Sequence, residues 1–485
     1  MRKNIVIYLN GSREEISAEN SFMTTAEFLR YKKGLTGTKV VCSEGDCGAC
    51  TILVSRFVNG KLGPYKSLNS CISFLYLLDR CHLITVEGVG EISHMHPVQE
   101  SMLKCHGAQC GYCTPGIVCA LAQMGNDLKN SGKIQTEKKV KNYLSGNLCR
   151  CTGYEPIIQA GMDIELDKVE TFESIYDDKE IEKNLALLDA EVSISTDKKS
   201  VYLPKDFSNA LEFKENNKDL IITSGATDLG VVENKGKINI QKSMTLNNID
   251  SAYKVDDTKD FISIGAKVSL TEVENACERD FLEFSKKLHI FASPQIKNTA
   301  TLVGNIINAS PISDTVPFLR VAQAKLKLSS KSSSREVDIN DFIKEGYKQL
   351  DLKQDEVVES VIIPKTQQKF KLYKVSIRKD LDISTVTFAC RYKLNGDVLE
   401  DFSLAFGGVG AYVLRATDIE TKAKGMKFTQ ENFKKLSLEV RNIITPMSDH
   451  RGSAEYRYQL CENLLLKFCD EVLSETRGSI VEASI

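Results

Sequence analysis

The sequence predicts a multidomain α+β protein, and three observations carry that expectation. At 485 residues the chain exceeds what one hydrophobic core supports and should divide into about three or four domains. Residues 1–90 alternate apolar and polar positions in short β-rich runs around a cysteine loop, whereas 91–162 change to helical periodicity. Beyond an acidic, apolar-poor stretch at 163–195, expected to be a linker or a loosely packed crossing segment, the pattern becomes mixed α/β.

Composition narrows the function. Hydrophobic residues make up 42% and charged residues 26% of the chain, as in ordinary globular proteins. A formal net charge of −2, without a basic stripe, argues against a nucleic-acid partner. No apolar run is long enough to span a membrane. The opening Met-Arg-Lys-Asn-Ile-Val-Ile-Tyr has a strand pattern and lacks the apolar core and cleavage site of a signal peptide. The expectation is a cytoplasmic chain, where 15 cysteines point to metal or redox roles instead of disulfides. Only Cys277, Cys390, Cys461 and Cys469 lie beyond residue 151, so the first third carries the metal chemistry.

In order, Asn4–Leu9 is a strand and Asn10-Gly11 a type I′ hairpin signal. A helix starts near Thr24, where Thr24 and Glu27 fit a capping box. Then comes Cys42-Ser-Glu-Gly-Asp-Cys47-Gly-Ala-Cys50, with Cys71 after 20 intervening residues. The spacing C-x4-C-x2-C with a distant fourth cysteine is the plant-type pattern that holds a [2Fe–2S] cluster through four thiolates. Gly45 and Gly48 let a short loop turn its amides towards the cluster sulfurs. Zinc also takes a CxxC pair but requires no wrapped CxxxxC segment, which favours the cluster. A strand from Cys50, a bend at Asn59-Gly60 and a second β-rich run over His82–Gly88 complete the unit. This order resembles the β-grasp fold of plant-type ferredoxins.

Helical periodicity begins at His96-Pro97. Gln109-Cys110-Gly111-Tyr112-Cys113-Thr114-Pro115-Gly116 interrupts one helix and starts another, with Thr114 expected as N-cap and Pro115 at the first helical position. A later helix stops at Leu144-Ser-Gly146-Asn147, where the glycine is expected to end it, and Cys149-Arg-Cys151 follows directly. Two cysteine pairs at helix termini can converge on one centre, and amide dipoles at helix starts favour a thiolate cluster there. The spacing leaves zinc as the other reading; the ferredoxin-like loop just upstream favours a second cluster.

Together, Glu44-Gly-Asp-Cys47-Gly-Ala-Cys50, Gln109–Gly116 and Gly146-Asn-Leu-Cys149-Arg-Cys151-Thr-Gly-Tyr154 resemble the iron–sulfur part of the molybdenum hydroxylases, the xanthine dehydrogenase/aldehyde oxidase family. The resemblance implies that Cys42, Cys47, Cys50 and Cys71 hold an outer cluster. Cys110, Cys113, Cys149 and Cys151 would hold an inner one, facing a molybdopterin on another domain, with Gln109 against the pterin. Cys81, Cys105 and Cys119 are left over as inert thiols.

The second half contains two loops of small residues, Leu220–Gly230 and Phe291–Asp314. Backbone amides at such positions can approach a pyrophosphate closely. Either loop alone reads as an ordinary tight turn; as a pair after two cluster motifs they resemble the family's FAD domain. The resemblance places FAD against Ile222, Thr223, Ser224, Gly225, Ala226, Thr227, Asp228 and Leu229. It adds Phe291, Thr301, Leu302, Val303, Gly304, Asn305 and Asp314. As an isolated residue Phe291 is an ordinary core aromatic, and Asp314 either accepts a hydrogen bond from the cofactor or caps the next helix. The match continues through Glu345–Lys348, Ser376–Ile383, Ala405–Gly410 and Arg451–Arg457. The implied domains are 1–90 (plant-type [2Fe–2S]), 91–162 (helical [2Fe–2S]), an α/β FAD domain of the PCMH type at 196–368, and a C-terminal α+β flavoprotein domain like that of CO dehydrogenase at 369–485.

Single-chain relatives continue into a molybdenum domain where this sequence stops at Ile485. The order iron–sulfur then FAD resembles the small subunit of two-subunit bacterial enzymes, so no catalytic residue is expected here. The resemblance implies a large molybdopterin-binding partner (a heterodimer or an α2β2 heterotetramer) that oxidises hypoxanthine and xanthine to urate. Electrons would then pass through two [2Fe–2S] clusters to FAD and on to NAD+. The same architecture also serves aldehyde and N-heterocycle hydroxylases, and a redox-sensing iron–sulfur flavoprotein is a further reading. The chain has no Trp, so a family feature built on tryptophan near the flavin does not carry over.

Overall fold

The computed structural model describes residues 1–482; the last three residues of the expected C-terminal domain lie outside it. The described chain forms two compact units. The first comprises Met1–Lys254 with Ser269–Thr271 and Ala292–Thr301; the second holds Val255–Val268, Glu272–Phe291 and the chain from Leu302 onward.

The first unit begins with a six-stranded sheet that contains Ile5–Leu9, buried along its whole length. That strand pairs antiparallel with Ser12–Ile16 and parallel with Cys81–Ile84. Asn10 (φ 49°) and Gly11 (φ 82°) both take positive φ, as a type I′ turn requires. Thr51–Val58 continues the sheet and bends back at Asn59-Gly60 into Lys61–Leu62. The expected strand over His82–Gly88 is shorter than its β-rich composition suggested: it ends at Ile84, and Val86–Val89 coils into a helical turn. Thr24 and Glu27 make the capping box, and the helix continues from Phe28 to Lys32 with wider, π-type turns.

Helices Pro97–Lys104, Thr114–Ser131, Glu137–Leu144 and Glu155–Met162 follow, packed on a core that includes Ile117, Leu121, Val140 and Ile157. Two local expectations are corrected. Cys113, not Thr114, is the N-cap of the long helix, and the Thr114 hydroxyl has no hydrogen-bond partner. Gly146 does not end its helix through positive φ, since Ser145 closes it in right-handed conformation. Its small size is needed because a Cβ there would strike the Gln295 and Ser293 side chains.

The segment 163–195 is folded. It carries helices Phe172–Ile175 and Asp178–Ala186 and strand Val192–Ser195, with Phe172, Leu185 and Val192 fully buried. Sparse apolar residues suggested a linker, but those present are spaced to meet the core. A buried relay also ties it down. The Gly11 amide donates to His82 Nε2 (3.1 Å), which leaves the proton on Nδ1. Nδ1 in turn donates to the Tyr65 hydroxyl (2.6 Å), and that hydroxyl donates to Asp178 Oδ1 (2.6 Å). Burial and Asp178 together push the Tyr65 phenol far above its ordinary range. Val192–Ser195 then opens a mostly parallel four-stranded sheet with Ser200–Leu203, Lys242–Thr245 and Ile221–Thr223, so the sheet crosses the boundary expected at residue 195.

The second unit contains two sheets. Five antiparallel strands, in the order Val255–Asp257, Phe261–Gly265, Val357–Pro364, Lys325–Ser329 and Ser334–Asp338, make the first. The other is an antiparallel meander of Lys369–Val375, Val386–Asn395, Val398–Gly407 and Leu414–Arg415, covered by helices Gln430–Glu439 and Ala454–Glu482. Arg457, 2% exposed, staples that cover by donating to Thr385 O (3.1 Å), Gly408 O (2.9 Å) and Asp449 Oδ1 (2.7 Å). Among the described residues no helix is long and apolar enough to cross a membrane.

Asp79 anchors the first sheet. It is 1% exposed and accepts from Arg2 Nη1 (3.0 Å) and Nη2 (2.6 Å), the Val6 amide (2.8 Å) and Asn248 Nδ2 (2.8 Å). Removing one partner of a buried pair strands the other groups. Asp79→Ala should therefore cost the first unit about 3 kcal/mol in urea unfolding; a loss below about 1 kcal/mol, as for an exposed pair, would show that the anchor carries little.

Candidate cluster and flavin sites

The first four cysteines meet because their loop is pinned from outside. Asn69 Nδ2 donates to Gly45 O (2.6 Å), and Asn234 Nδ2 donates to Ser43 O (3.0 Å) and Cys71 O (2.9 Å). Lys235 pairs with Glu44. Inside the loop, Cys42 Sγ touches the thiols of Cys47 and Cys71 and accepts from the Glu44 amide at 3.5 Å. Cys50 meets Cys71 in turn. The four sulfurs share protons unevenly. Cys47 and then Cys71, as donors, hold the Cys42 thiol far below its usual range, and Cys71 lowers Cys50 against the opposing effect of burial. Cys47 and Cys71, which keep the protons, are pushed far up.

The second quartet repeats the pattern nearer the surface. Cys110 Sγ lies 3.2 Å from Cys151 Sγ, and Cys149 contacts Cys113 and lies 3.2 Å from Thr152 Oγ1. The Tyr112 amide and the Cys151 thiol lower Cys110, while the hydrogen bond to Cys110 raises Cys151. Burial and Cys149 push Cys113 up to about 12. Burial opposes ionisation of Cys149, yet Thr152, neighbouring amides and Cys113 outweigh it. All 15 cysteines are free of disulfides. Among the described residues no group of three or more Cys, His, Asp or Glu side chains has the arrangement that holds a metal ion. What the residues do supply is two sets of four cysteines drawn together by sulfur contacts, and sulfur donors in fours are what a pair of [2Fe–2S] clusters takes.

Three glycines bring the two quartets together. Gly48 (φ 66°) lies in the first loop, Gly116 in the first turn of helix Thr114–Ser131, and Gly146 just before Cys149. A Cβ on Gly48 would strike Gly146 O, and one on Gly116 would strike Gly48 O, so backbone packs on backbone. Leu148 N donates to Cys47 O (2.9 Å), and Asn147 Nδ2 donates to Gly48 O (3.0 Å) and Thr51 Oγ1 (3.3 Å). Gln295, 1% exposed, closes the joint through Nε2 to Asn147 Oδ1 (2.9 Å) and Thr51 Oγ1 (3.2 Å). Sequence reasoning missed Gln295, which lies in the small-residue stretch Phe291–Asp314 and, with Ala292–Thr301, belongs to the first unit. Gly146-Asn147 within the cysteine motif was the available signal for the joint.

The expected flavin residues fall into both units. In the first, Ile222 and Thr223 end strand Ile221–Thr223, Ser224–Asp228 turn, and Leu229 starts helix Leu229–Asn234. Ala226 sits at φ 53°, and a Cβ on Gly225 would strike Thr299 O, so this turn lies against Thr299–Ala300. Thr301 Oγ1 donates to Ser224 Oγ (3.3 Å). A small-residue turn from a parallel strand into a helix is a fitting place for a pyrophosphate, whose oxygens its amides can reach. In the second unit, Leu302, Val303, Gly304 and Asn305 lie on helix Leu302–Asn308, with Leu302 and Val303 buried as core. Asn305 Oδ1 accepts from Ser313 Oγ (2.7 Å) and Thr315 Oγ1 (2.6 Å), fixing the next turn. Phe291 is half-buried. Asp314 caps nothing: Thr315 is the N-cap of the following helix, and Asp314 accepts from Lys374 Nζ (2.5 Å) and Ser384 Oγ.

If the glycine joint sets the two quartets, Gly48→Ala and Gly116→Ala should each lower iron and acid-labile sulfide of both clusters by half or more. Gly132→Ala, at φ 64° with open space around it, should cost only about 1 kcal/mol of backbone strain and keep full iron. Equal iron in all three variants would contradict the joint's role.

Comparison with known proteins agrees with this layout. Family models match residues 85–162 ([2Fe-2S] binding domain), 186–366 (FAD binding domain in molybdopterin dehydrogenase) and 371–472 (CO dehydrogenase flavoprotein C-terminal domain). Xanthine dehydrogenase of Emericella nidulans is 30% identical over 99% of this chain and 40% of its own length. Xanthine dehydrogenase of Oryza sativa is 30% identical over 97% and 40%, and aldehyde oxidase 2 of Cavia porcellus 27% over 98% and 40%. The chain thus spans about two fifths of the length of the curated relatives it matches. Among solved structures, quinoline 2-oxidoreductase from Pseudomonas putida 86 superposes with a TM-score of 0.52 at 19% identity, over 56% of this chain and 94% of that one. Carbon monoxide dehydrogenase from Hydrogenophaga pseudoflava gives 0.53 at 19%, over 55% and 94%; these two likenesses are of fold. With three domain matches in the order of the cysteine and small-residue motifs, and alignment along nearly its whole length, this chain belongs to the molybdenum hydroxylase family and carries that family's iron–sulfur and FAD domains.

Proposed function

We propose that this chain is the electron-transfer part of a xanthine dehydrogenase, working in the cytoplasm beside a large molybdopterin-binding subunit that converts hypoxanthine and xanthine to urate. The observation that carries the proposal is the pair of four-sulfur sets joined backbone to backbone within one unit, in a chain that aligns over 99% of its length with a xanthine dehydrogenase. Bound to it, two [2Fe–2S] clusters would supply one-electron carriers and FAD the two-electron exchange with NAD+.

The chain's own residues then have defined tasks. Cys42, Cys47, Cys50 and Cys71 hold the more enclosed cluster, and Cys110, Cys113, Cys149 and Cys151 the other. Cys110 and Cys151 are exposed, which suits the second cluster for exchange with a partner. Asn69, Asn234 and Lys235 fix the first loop from outside. The Ile222–Leu229 turn with Thr301, and separately Phe291, Leu302–Asn305 and Asp314, are assigned to FAD. We assign the domains as 1–90, 91–162, 196–368 and 369–485, with 163–195 as a folded connection. A second reading, an aldehyde or N-heterocycle hydroxylase, is favoured by the 27% identity to aldehyde oxidase 2.

Chemical analysis tests the cofactor content: about four irons, four acid-labile sulfides and one FAD are expected per purified chain. Zinc without sulfide would contradict it. Co-purification of the partner, followed by assay with xanthine and with aldehydes using NAD+, decides between the two substrate readings; turnover of aldehydes alone would favour the second.

A further inference from the structure

Arg320 is a buried cation without a counter-ion. Its residue is 3% exposed on helix Val316–Val321. Nη2 donates to Ile343 O (2.9 Å), Nη1 makes a long contact to Asn340 Oδ1 (3.4 Å), and Nε has no partner. Both partners are neutral. Asp338 acts on it only through space, its Oδ1 accepting from the Asn340 amide and side chain at 2.8 Å each. Elsewhere in this unit buried guanidinium groups are paired: Arg457 with Asp449 at 2.7 Å and Arg391 with Asp401 at 3.4 Å. A buried charge without compensation is costly, and burial lowers the Arg320 pKa to about 10.

Arg320 lines a cleft of about 690 Å³ within the second unit, a size suited to a small molecule. Tyr412 forms one wall, its ring centroid 5.9 Å from the Arg320 Cζ, with its hydroxyl engaged by Glu345. Arg415 borders the cleft but is already paired with Glu420 (2.8 and 3.1 Å). The lining carboxylates Asp341, Glu345 and Asp418 are exposed, where solvent screens them. None of the lining residues is assigned to a cluster or to FAD.

The geometry points to a binding site for a small oxyanion, a carboxylate or phosphate carried on a compact organic molecule. The oxyanion takes the Arg320 guanidinium where it lines the cleft, and the organic part lies along the Tyr412 ring. A guanidinium fork suits both oxyanions, and the acidic rim disfavours a polyanion.

The test is calorimetric titration of the cluster- and FAD-loaded chain, with sodium phosphate in one arm and sodium benzoate in the other, chloride holding ionic strength constant. Saturable 1:1 binding of at least one probe is expected, and the stronger arm identifies which oxyanion the site takes. Arg320→Gln should weaken it at least tenfold, and Arg320→Lys, which keeps the charge but not the fork, by less. Should Arg320→Gln fail to fold, Tyr412→Ala should weaken the bound probe several-fold, benzoate more than phosphate. Binding of neither probe, or unchanged binding in the variants, would overturn the assignment.

Discussion

The contact on which the rest depends is a backbone-on-backbone approach. Gly48 of the first cysteine loop meets Gly146, which precedes the last cysteine pair, and Gly116 in the turn after Cys113. No residue with a Cβ fits at these points, so the distance between the two sulfur quartets is set by main chain, the least adjustable part of a protein. Gln295 and Asn147, both almost fully buried, lock the joint with polar contacts that hold only while the glycines stay in register. This arrangement ties the two cysteine segments together without relying on side-chain rotamers.

Around that joint the two sets of four cysteines gather. Mutual hydrogen bonding lowers Cys42 and Cys50 and raises Cys47 and Cys71 in the first quartet; in the second, Cys110 and Cys149 are lowered chiefly by backbone amides and Thr152, while burial raises Cys113 and the contact with Cys110 raises Cys151. Asp79, gathering Arg2, Val6 and Asn248, holds the sheet beneath the first loop. The Gly11–His82–Tyr65–Asp178 relay fastens the segment after the helical domain to the same sheet.

Much of this was legible in the sequence because local chemistry dictated it. The capping box at Thr24 and the turn at Asn10-Gly11 each act over a few residues, and each formed as read. What the sequence hid was long-range. The folded character of 163–195 rests on Phe172, Leu185 and Val192 meeting cores distant in the chain. The role of Gln295 in the joint had no local signal because its partner, Asn147, lies 148 residues away. The capping role open to Asp314 goes to Thr315 instead, since nothing nearby in the chain reveals Lys374 and Ser384 as partners of Asp314. The Arg320 cleft had no sequence signal, because an unpaired guanidinium is visible only once its surroundings are known.

The central claim is that one polypeptide holds two separate iron–sulfur centres at a fixed mutual distance. Electron paramagnetic resonance of the anaerobically reduced chain tests it most directly. The account predicts two distinguishable signals that together integrate to about two spins per chain. A single signal of about one spin, or none from iron-loaded protein, would contradict it.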